Sequence, residues 1–197
     1  IDTSVLATLE EPELRSGIGE MLKVHGIAGP KAFEKIAGDY HRLKSDHRLM
    51  EAYVAESLLI KKKLIEIDEF DQGPRNIMNY GHSFGHAIES ASNFGVPHGI
   101  AVSIGLDMAG YVGWQLGLSP ESVYRDRKTV LKDNYSGYET IQFPFDRFFS
   151  AISKDKKNTD GMLKLILPDE NGIISARMVE NDNRFKQICT DYFKREI

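Results

Sequence analysis

Between Arg75 and His98 the sequence reads RNIMNYGHSFGHAIESASNFGVPH, and three of the six histidines fall inside this stretch. His82 and His86 are four residues apart, so a helix through them stacks both rings on one face. His98 follows Pro97 and precedes Gly99, which places it at a loop end before the next apolar segment. Neutral imidazole is a common zinc ligand, so such a cluster can bind a divalent metal. The same spacing also describes an ordinary polar helix face. Gly81 and Gly85 favour a site, because an interior glycine costs a helix on the order of 1 kcal/mol. Something therefore needs to come close to that backbone.

Charged residues elsewhere can serve the same chemistry. Glu20 and Lys23 lie three apart in GIGEMLKVH, on one helix face. Most such pairs are solvated, but these have glycine and apolar neighbours, and buried charges need partners. A metal would satisfy Glu20, and an anionic substrate would satisfy Lys23. Lys61 stands in a triple-lysine run, and Lys156 and Lys157 stand in SKDKKNTDG. Read alone, both runs are wet surface.

The elements that must position these residues are mainly helices. Asp2, Thr3 and Ser4 can cap a turn at Val5-Leu6. Pro12 suits the first turn of a helix carrying Leu14, Ile18, Met21 and Leu22 and ending near Gly26 or Gly29. Residues 31–38 read as a short helix ending at Gly38. From Leu49 to Ile67, Tyr53, Leu58, Leu59, Leu64 and Ile65 recur at helical spacing until Gly73-Pro74. One helix is predicted over 75–91. Another is predicted over 98–116, whose Ala, Gly, Val and Ile suit a buried position. Ser119-Pro120-Glu121 predicts a capped helix start. Phe145–Ile152 is short and amphipathic. Leu163–Leu167, a turn at 169–172 and Ile173-Ile174 predict one hairpin, and residues 181–194 a closing helix. The fold class is mainly α, a multi-helix domain with one small β-hairpin.

At 197 residues the chain fits one domain, and 41% hydrophobic content supplies a core. A net charge of −4 argues against a general nucleic-acid binder. The single cysteine, Cys189, excludes an internal disulfide framework and fits a reducing, cytoplasmic setting. No apolar run is long enough to span a membrane, and no basic-plus-apolar leader opens the chain. The chain begins at Ile1 rather than Met, which suggests a piece of a longer protein.

RNIMNYGHSFGHAIE followed by HGIAVSIGLDMA resembles the dehydroquinate synthases, within the sugar phosphate cyclases. The pattern is Arg, three residues, Asn, two residues, His, three residues, His, then a His-Gly pair. Arg75, Asn79, His82, His86 and His98-Gly99 fill it. LRSGIGEMLK resembles the family helix that carries a metal carboxylate and a substrate lysine. The resemblance implies zinc, or another divalent metal such as cobalt, held by Glu20, His82 and His98. One carboxylate and two histidines leave a position open, as catalytic rather than structural zinc requires. His86 then lies near the substrate phosphate instead of on the metal. Lys61 holds the place of a family lysine fourteen residues before Arg75, and the two are implied to hold a substrate carboxylate, which an Arg fork suits. Asn79 is implied to meet a substrate hydroxyl or phosphate, and Lys156 or Lys157 the phosphate, with Lys156 preferred. Lys23, His86 and Asn79 are the implied catalytic groups. Pro74 stands where the family usually has leucine, and Asp71 where it more often has Glu.

The resemblance covers nearly all of residues 1–197 as a metal- and substrate-binding C-terminal domain. The family's N-terminal dinucleotide-binding domain, with its glycine-rich loop, has no counterpart here. The implied activity is 3-dehydroquinate synthase: a redox-neutral cyclisation of the seven-carbon sugar-acid phosphate DAHP with loss of phosphate, on the shikimate route to aromatic amino acids. It needs NAD, so this chain alone is expected to be inactive, and the full-length protein to be a homodimer. Two alternatives stand beside it. One is a sister cyclase making a cyclitol, such as 2-deoxy-scyllo-inosose synthase. The other is a metal-binding domain without turnover.

Overall fold

The helix His98–Gln115 (α5) carries Ala, Gly, Val, Ile and Leu on every side, so no face of it can be given to water, and residues 99–113 are all buried. In the computed structural model, which describes residues 3–71, 73–154 and 161–197, the other elements are layered around this helix. They are α1 (Glu11–Ala28), α2 (Pro30–Leu43), α3 (His47–Ile67), α4 (His82–Ala91), α6 (Glu121–Tyr135), α7 (Phe145–Ser153) and α8 (Asn183–Arg195). Two 3-10 helices, Ser4–Thr8 and Pro74–Asn79, complete the helical set among the described residues. Strands β1 (Met162–Pro168) and β2 (Ile174–Glu180) pair antiparallel, with Leu165 opposite Arg177. The fold class read from the sequence holds.

Local chemistry sets the helix ends. Glu10 and Glu13 form a capping box at the start of α1, with Pro12 in its first turn. Asp46 accepts from the Leu49 amide at 3.0 Å and Asp182 from the Phe185 amide at 2.8 Å, capping α3 and α8.

Several boundaries differ from expectation. Helix α2 runs through Gly38 to Leu43, because Phe33, Ile36, Tyr40 and Leu43 bury one continuous stripe. That burial outweighs the propensity cost of one exposed glycine. The predicted helix over 75–91 is two elements, a 3-10 turn and α4, separated by Gly81 at φ +75°. The left-handed conformation suits glycine, and a β-carbon there would fall 2.9 Å from Leu106. Ser119 does not cap α6. Pro120 holds the cap position, and the Ser119 hydroxyl faces Gly113 of α5. Strand β2 is seven residues long instead of two. Of the residues that recur at helical spacing along α3, Tyr53 is buried but Leu58 and Leu59 are 42% and 59% exposed. Asp2 lies outside the described residues. Among the described residues no helix is long and apolar enough to cross a membrane.

Two backbone approaches fix the elements that carry the site. A β-carbon on Gly19 of α1 would meet the Gly99 carbonyl of α5 at 2.2 Å, and one on Gly99 would meet the Ser16 carbonyl at 1.9 Å. The Gly99 amide donates to Ser16 Oγ at 2.7 Å across this crossing. A β-carbon on Gly105 would lie 2.1 Å from the Gly81 carbonyl, which locks α4 against the same helix.

Candidate metal centre

The glycine crossing decides which residues meet. Glu20 follows Gly19 on α1 and His98 precedes Gly99 on α5, so the same contact brings the two side chains together. Gly81 turns the chain so that His82 opens α4 beside them. Glu20 Oε1 lies 3.5 Å from His82 Nε2 and 3.6 Å from His98 Nε2. This oxygen is buried and has no hydrogen-bond partner. The other, Oε2, accepts from Lys23 Nζ at 2.9 Å, and Lys61 Nζ stands 4.0 Å away.

Both histidines are held in the form a ligand needs. The Tyr80 carbonyl can only accept, so His82 Nδ1, 3.3 Å away, carries the proton and Nε2 keeps its lone pair. His98 Nδ1 lies 3.1 Å from Glu89 Oε1, a carboxylate oxygen that likewise holds a proton on Nδ1 and leaves Nε2 for the cluster side. Burial, reinforced by the Lys23 charge, pushes the His82 pKa down to about 4 and keeps that ring neutral. Burial pushes Glu20 up, but the Lys23 charge and hydrogen bond, with His82 and Lys61, outweigh it, so its pKa is lowered and the carboxylate stays ionised. Burial lowers the pKa of Lys23, opposed by Glu20.

A divalent metal fits these donors. Zinc bonds to nitrogen and oxygen of about 2.1 Å, at tetrahedral angles, set ligand atoms about 3.4 Å apart, close to the two separations seen here. A metal would also satisfy Glu20 Oε1, which has no hydrogen-bond partner. His86, one turn along α4, is exposed, and its ring approaches both others: a ligating atom from each of His82, His86 and His98 lies within 4.8 Å of the other two. The imidazole cluster is therefore three-membered, with Glu20 closing it from α1.

The structure thus gathers Glu20, Lys23, Lys61, His82, His86 and His98. It does not bring Arg75 or Asn79 into contact with the cluster. Arg75 Nη1 donates to the Glu69 carbonyl at 2.7 Å and Asn79 Nδ2 to the Asn76 carbonyl at 3.0 Å, each within its own loop segment. Lys156 and Lys157 lie outside the described residues. Glu89 was missed in the sequence, although it stands seven residues after His82 and so shares the α4 face with His82 and His86. A separate cleft of about 610 Å³, lined by Phe33, Asp126, Arg127 and Gly172 among others, contains none of these groups.

A helical layer packed around a central apolar helix is a fold that this chain shares with solved enzymes. The 2-epi-5-epi-valiolone synthase of Streptomyces hygroscopicus subsp. jinggangensis 5008, solved with NAD+ and Zn2+, superposes with a TM-score of 0.82 at 21% identity over all of this chain and 55% of that one. A 2-deoxy-scyllo-inosose synthase solved with carbaglucose-6-phosphate, NAD+ and Co2+ gives 0.79 at 20% identity, over 96% of this chain and 55% of that one. Residues 17–158 match the family described as 3-dehydroquinate synthase C-terminal, and the chain belongs to that family. It is 33% identical over 176 residues to the 3-dehydroquinate synthase of Enterococcus faecalis, covering 87% of this chain and 48% of that protein. It is 34% identical over 184 residues to that of Dictyoglomus thermophilum, covering 92% and 51%. The chain spans about half the length of these curated relatives.

Proposed function

We propose that this chain is the metal- and substrate-binding part of a 3-dehydroquinate synthase, a carbon-oxygen lyase that cyclises DAHP with loss of phosphate on the shikimate route. The observation that carries the reading is the buried, unpaired Glu20 Oε1 placed 3.5 and 3.6 Å from two imidazole nitrogens, with Lys23 and Lys61 beside it. Glu20, His82 and His98 would hold zinc or cobalt. Bound there, the metal supplies a Lewis acid that lowers the pKa of a substrate alcohol, and NAD, held by a dinucleotide-binding part such as the longer relatives have room for, supplies transient oxidation.

The chain's own residues bind and orient. Lys23 keeps Glu20 ionised and places a buried positive charge against an anionic substrate. Lys61 and Arg75 hold the substrate carboxylate, for which the Arg75 fork must leave the Glu69 carbonyl. His86, an exposed member of the imidazole cluster, faces the phosphate and acts with Lys23 and Asn79 in the chemical steps. Lys156 or Lys157, with Lys156 preferred, completes the phosphate contacts. The protein is cytoplasmic and homodimeric in this reading, with no nucleic-acid or membrane partner. The sugar phosphate cyclases of similar fold support a second reading, a cyclitol-forming enzyme, but their identities of 20–21% lie well below the 33–34% of the 3-dehydroquinate synthases.

Zinc titration of the single-site variants tests the assignment. Wild type takes one ion per chain, His82→Ala loses it, and His86→Ala keeps it. The reverse pattern, with His86→Ala losing the ion and His82→Ala keeping it, overturns the ligand set. Turnover by the full-length enzyme on a substrate analogue without the carboxylate, equal to that on DAHP, would favour the cyclitol reading.

A further inference from the structure

His82 and His98 are not held alike. The His82 side chain is only 16% exposed and is fixed by packing, while that of His98 is 46% exposed at the first residue of α5. A ring so open has little around it to choose its rotamer or its tautomer. We propose that Glu89 makes that choice: its carboxylate holds His98 Nδ1–H, aims Nε2 at the Glu20 side of the cluster, and thereby sets the affinity of the metal centre. The inference rests on the metal reading given above.

Four observations support it. Glu89 Oε1 lies 3.1 Å from His98 Nδ1, within hydrogen-bond reach. Glu89 is buried on α4, and among the described residues His98 is its one ion-pair partner. Its position seven residues after His82 puts it on the same helix face as the cluster. Its backbone is also tied to the loop that returns His98, because the Glu89 carbonyl accepts from the Phe94 amide at 2.7 Å and from Ser92 Oγ at 3.2 Å. That loop passes through Asn93 and Phe94 at φ 54° and 59°, a left-handed pair that non-glycine residues seldom adopt. The chain therefore accepts backbone strain on the path that carries His98 back to Glu89.

The chemistry differs from that at His82. A neutral carbonyl, that of Tyr80, holds His82 Nδ1, whereas an anion holds His98 Nδ1. A carboxylate acceptor makes the opposite ring nitrogen a better donor to a cation, and loss of such a partner commonly weakens metal binding about 10–100-fold.

The test uses the 197-residue chain and zinc in competition with a chromophoric chelator. Glu89→Leu, which removes the acceptor at similar volume, weakens zinc binding 10–100-fold. Glu89→Gln, which keeps an acceptor oxygen but no charge, falls between it and wild type, and decides the matter if the leucine variant does not fold. Long-range proton–nitrogen NMR of the metal-free chain supplies a readout that simple loss of packing would not move: His98 is the Nδ1–H tautomer in wild type and leaves it in Glu89→Leu. Zinc affinity within twofold of wild type in both variants, or an unchanged tautomer, overturns the proposal. His98→Ala separates the two readings. If it loses zinc while the Glu89 variants do not, the metal centre stands and the role of Glu89 falls. If it keeps zinc at wild-type affinity, the metal centre itself is wrong and the proposal goes with it.

Discussion

Helix α5 passes two polar clusters, each built on a carboxylate with one buried oxygen that lacks a hydrogen-bond partner. Glu20 Oε1 sits beside its first residue, and Asp107 Oδ1 near its middle. The neighbours are of different kinds. Glu20 has two lysines and two imidazole nitrogens. Asp107 has the hydroxyls of Tyr135 and Tyr192, each donating to Oδ2 at 2.8 Å, and Lys128 only at 3.9 Å. Lys128 gives its hydrogen bonds to Glu196 and Tyr124 instead. Burial dominates at Asp107 and pushes its pKa up to about 6, against the pull of Lys128 and the tyrosines. Glu20 moves the other way. The same group thus becomes a ready anion beside ammonium groups and imidazoles, and among phenols a carboxyl that keeps its proton to a higher pH. The first arrangement suits a cation, and the second ties α6 and α8 to α5.

The largest expected effect comes from the contact that creates the first cluster. In Gly99→Ala the new β-carbon meets the Ser16 carbonyl at 1.9 Å, a backbone atom that no rotamer change can move away. Helices α1 and α5 must separate, and Glu20 parts from His98. Overpacking of this kind costs about 3 kcal/mol or more. Thermal unfolding should show that loss, and zinc binding should fail in whatever protein still folds. A wild-type melting curve with intact zinc affinity would show that the α1–α5 crossing does not set the site.

The two clusters were not equally legible in the sequence. The helices, the buried character of α5 and the single hairpin could be read from periodicity and turn residues. Gly81 as a break could not, because the neighbours that leave no room for a β-carbon there, Leu106 and Val102, lie on α5, which no local pattern reveals. Leu58 and Leu59 had the right spacing, but spacing does not say whether anything covers a face. Glu20 and His98 are far apart in the chain, and only the resemblance joined them before the glycine crossing was seen. Glu89 was within reach of a helical-wheel argument from His82. Asp107 was not, since its partners come from α6 and α8, and an aspartate in an apolar run announces only that it needs some partner.

The second cluster has a pH signature of intermediate size. The Asp107 pKa is raised from 3.8 to about 6 in the folded chain. Between those values the folded state binds the proton more tightly than the unfolded state does. The stability from this group is therefore fully present below pH ~4 and is lost as pH rises through ~6. The whole change is on the order of 2–3 kcal/mol. Other carboxylates titrate in the same range with the opposite sign, Glu20 and Glu196 among them, so the measurement is a difference. Urea unfolding of wild type and Asp107→Asn from pH 4 to pH 7 should show wild type losing ground to the variant as pH rises. A difference that stays flat over that range would mean that Asp107 is ionised in the folded protein throughout, and the contrast with Glu20 would disappear.

The smallest effect is expected at Gly110→Ala, one turn beyond Asp107 on α5. Alanine in a helix interior gains up to about 1 kcal/mol over glycine, so propensity alone predicts stabilisation. Against this, the new β-carbon meets Tyr124 Cδ2 at 3.2 Å, and this ring has little freedom. It stacks on Trp114 with ring centroids 5.8 Å apart, and its hydroxyl donates to Glu196 Oε2 at 3.0 Å. A shift of a few tenths of an ångström is enough, and it moves a side chain instead of a backbone, unlike at Gly99. The two contributions nearly cancel, and the net change should stay within about 1 kcal/mol. Zinc affinity should be unaltered, because none of Glu20, His82 and His98 touches this turn. A large loss at Gly110 beside a small one at Gly99 would reverse the picture. The tyrosine cluster would then be the rigid end of α5, and the metal end the adaptable one.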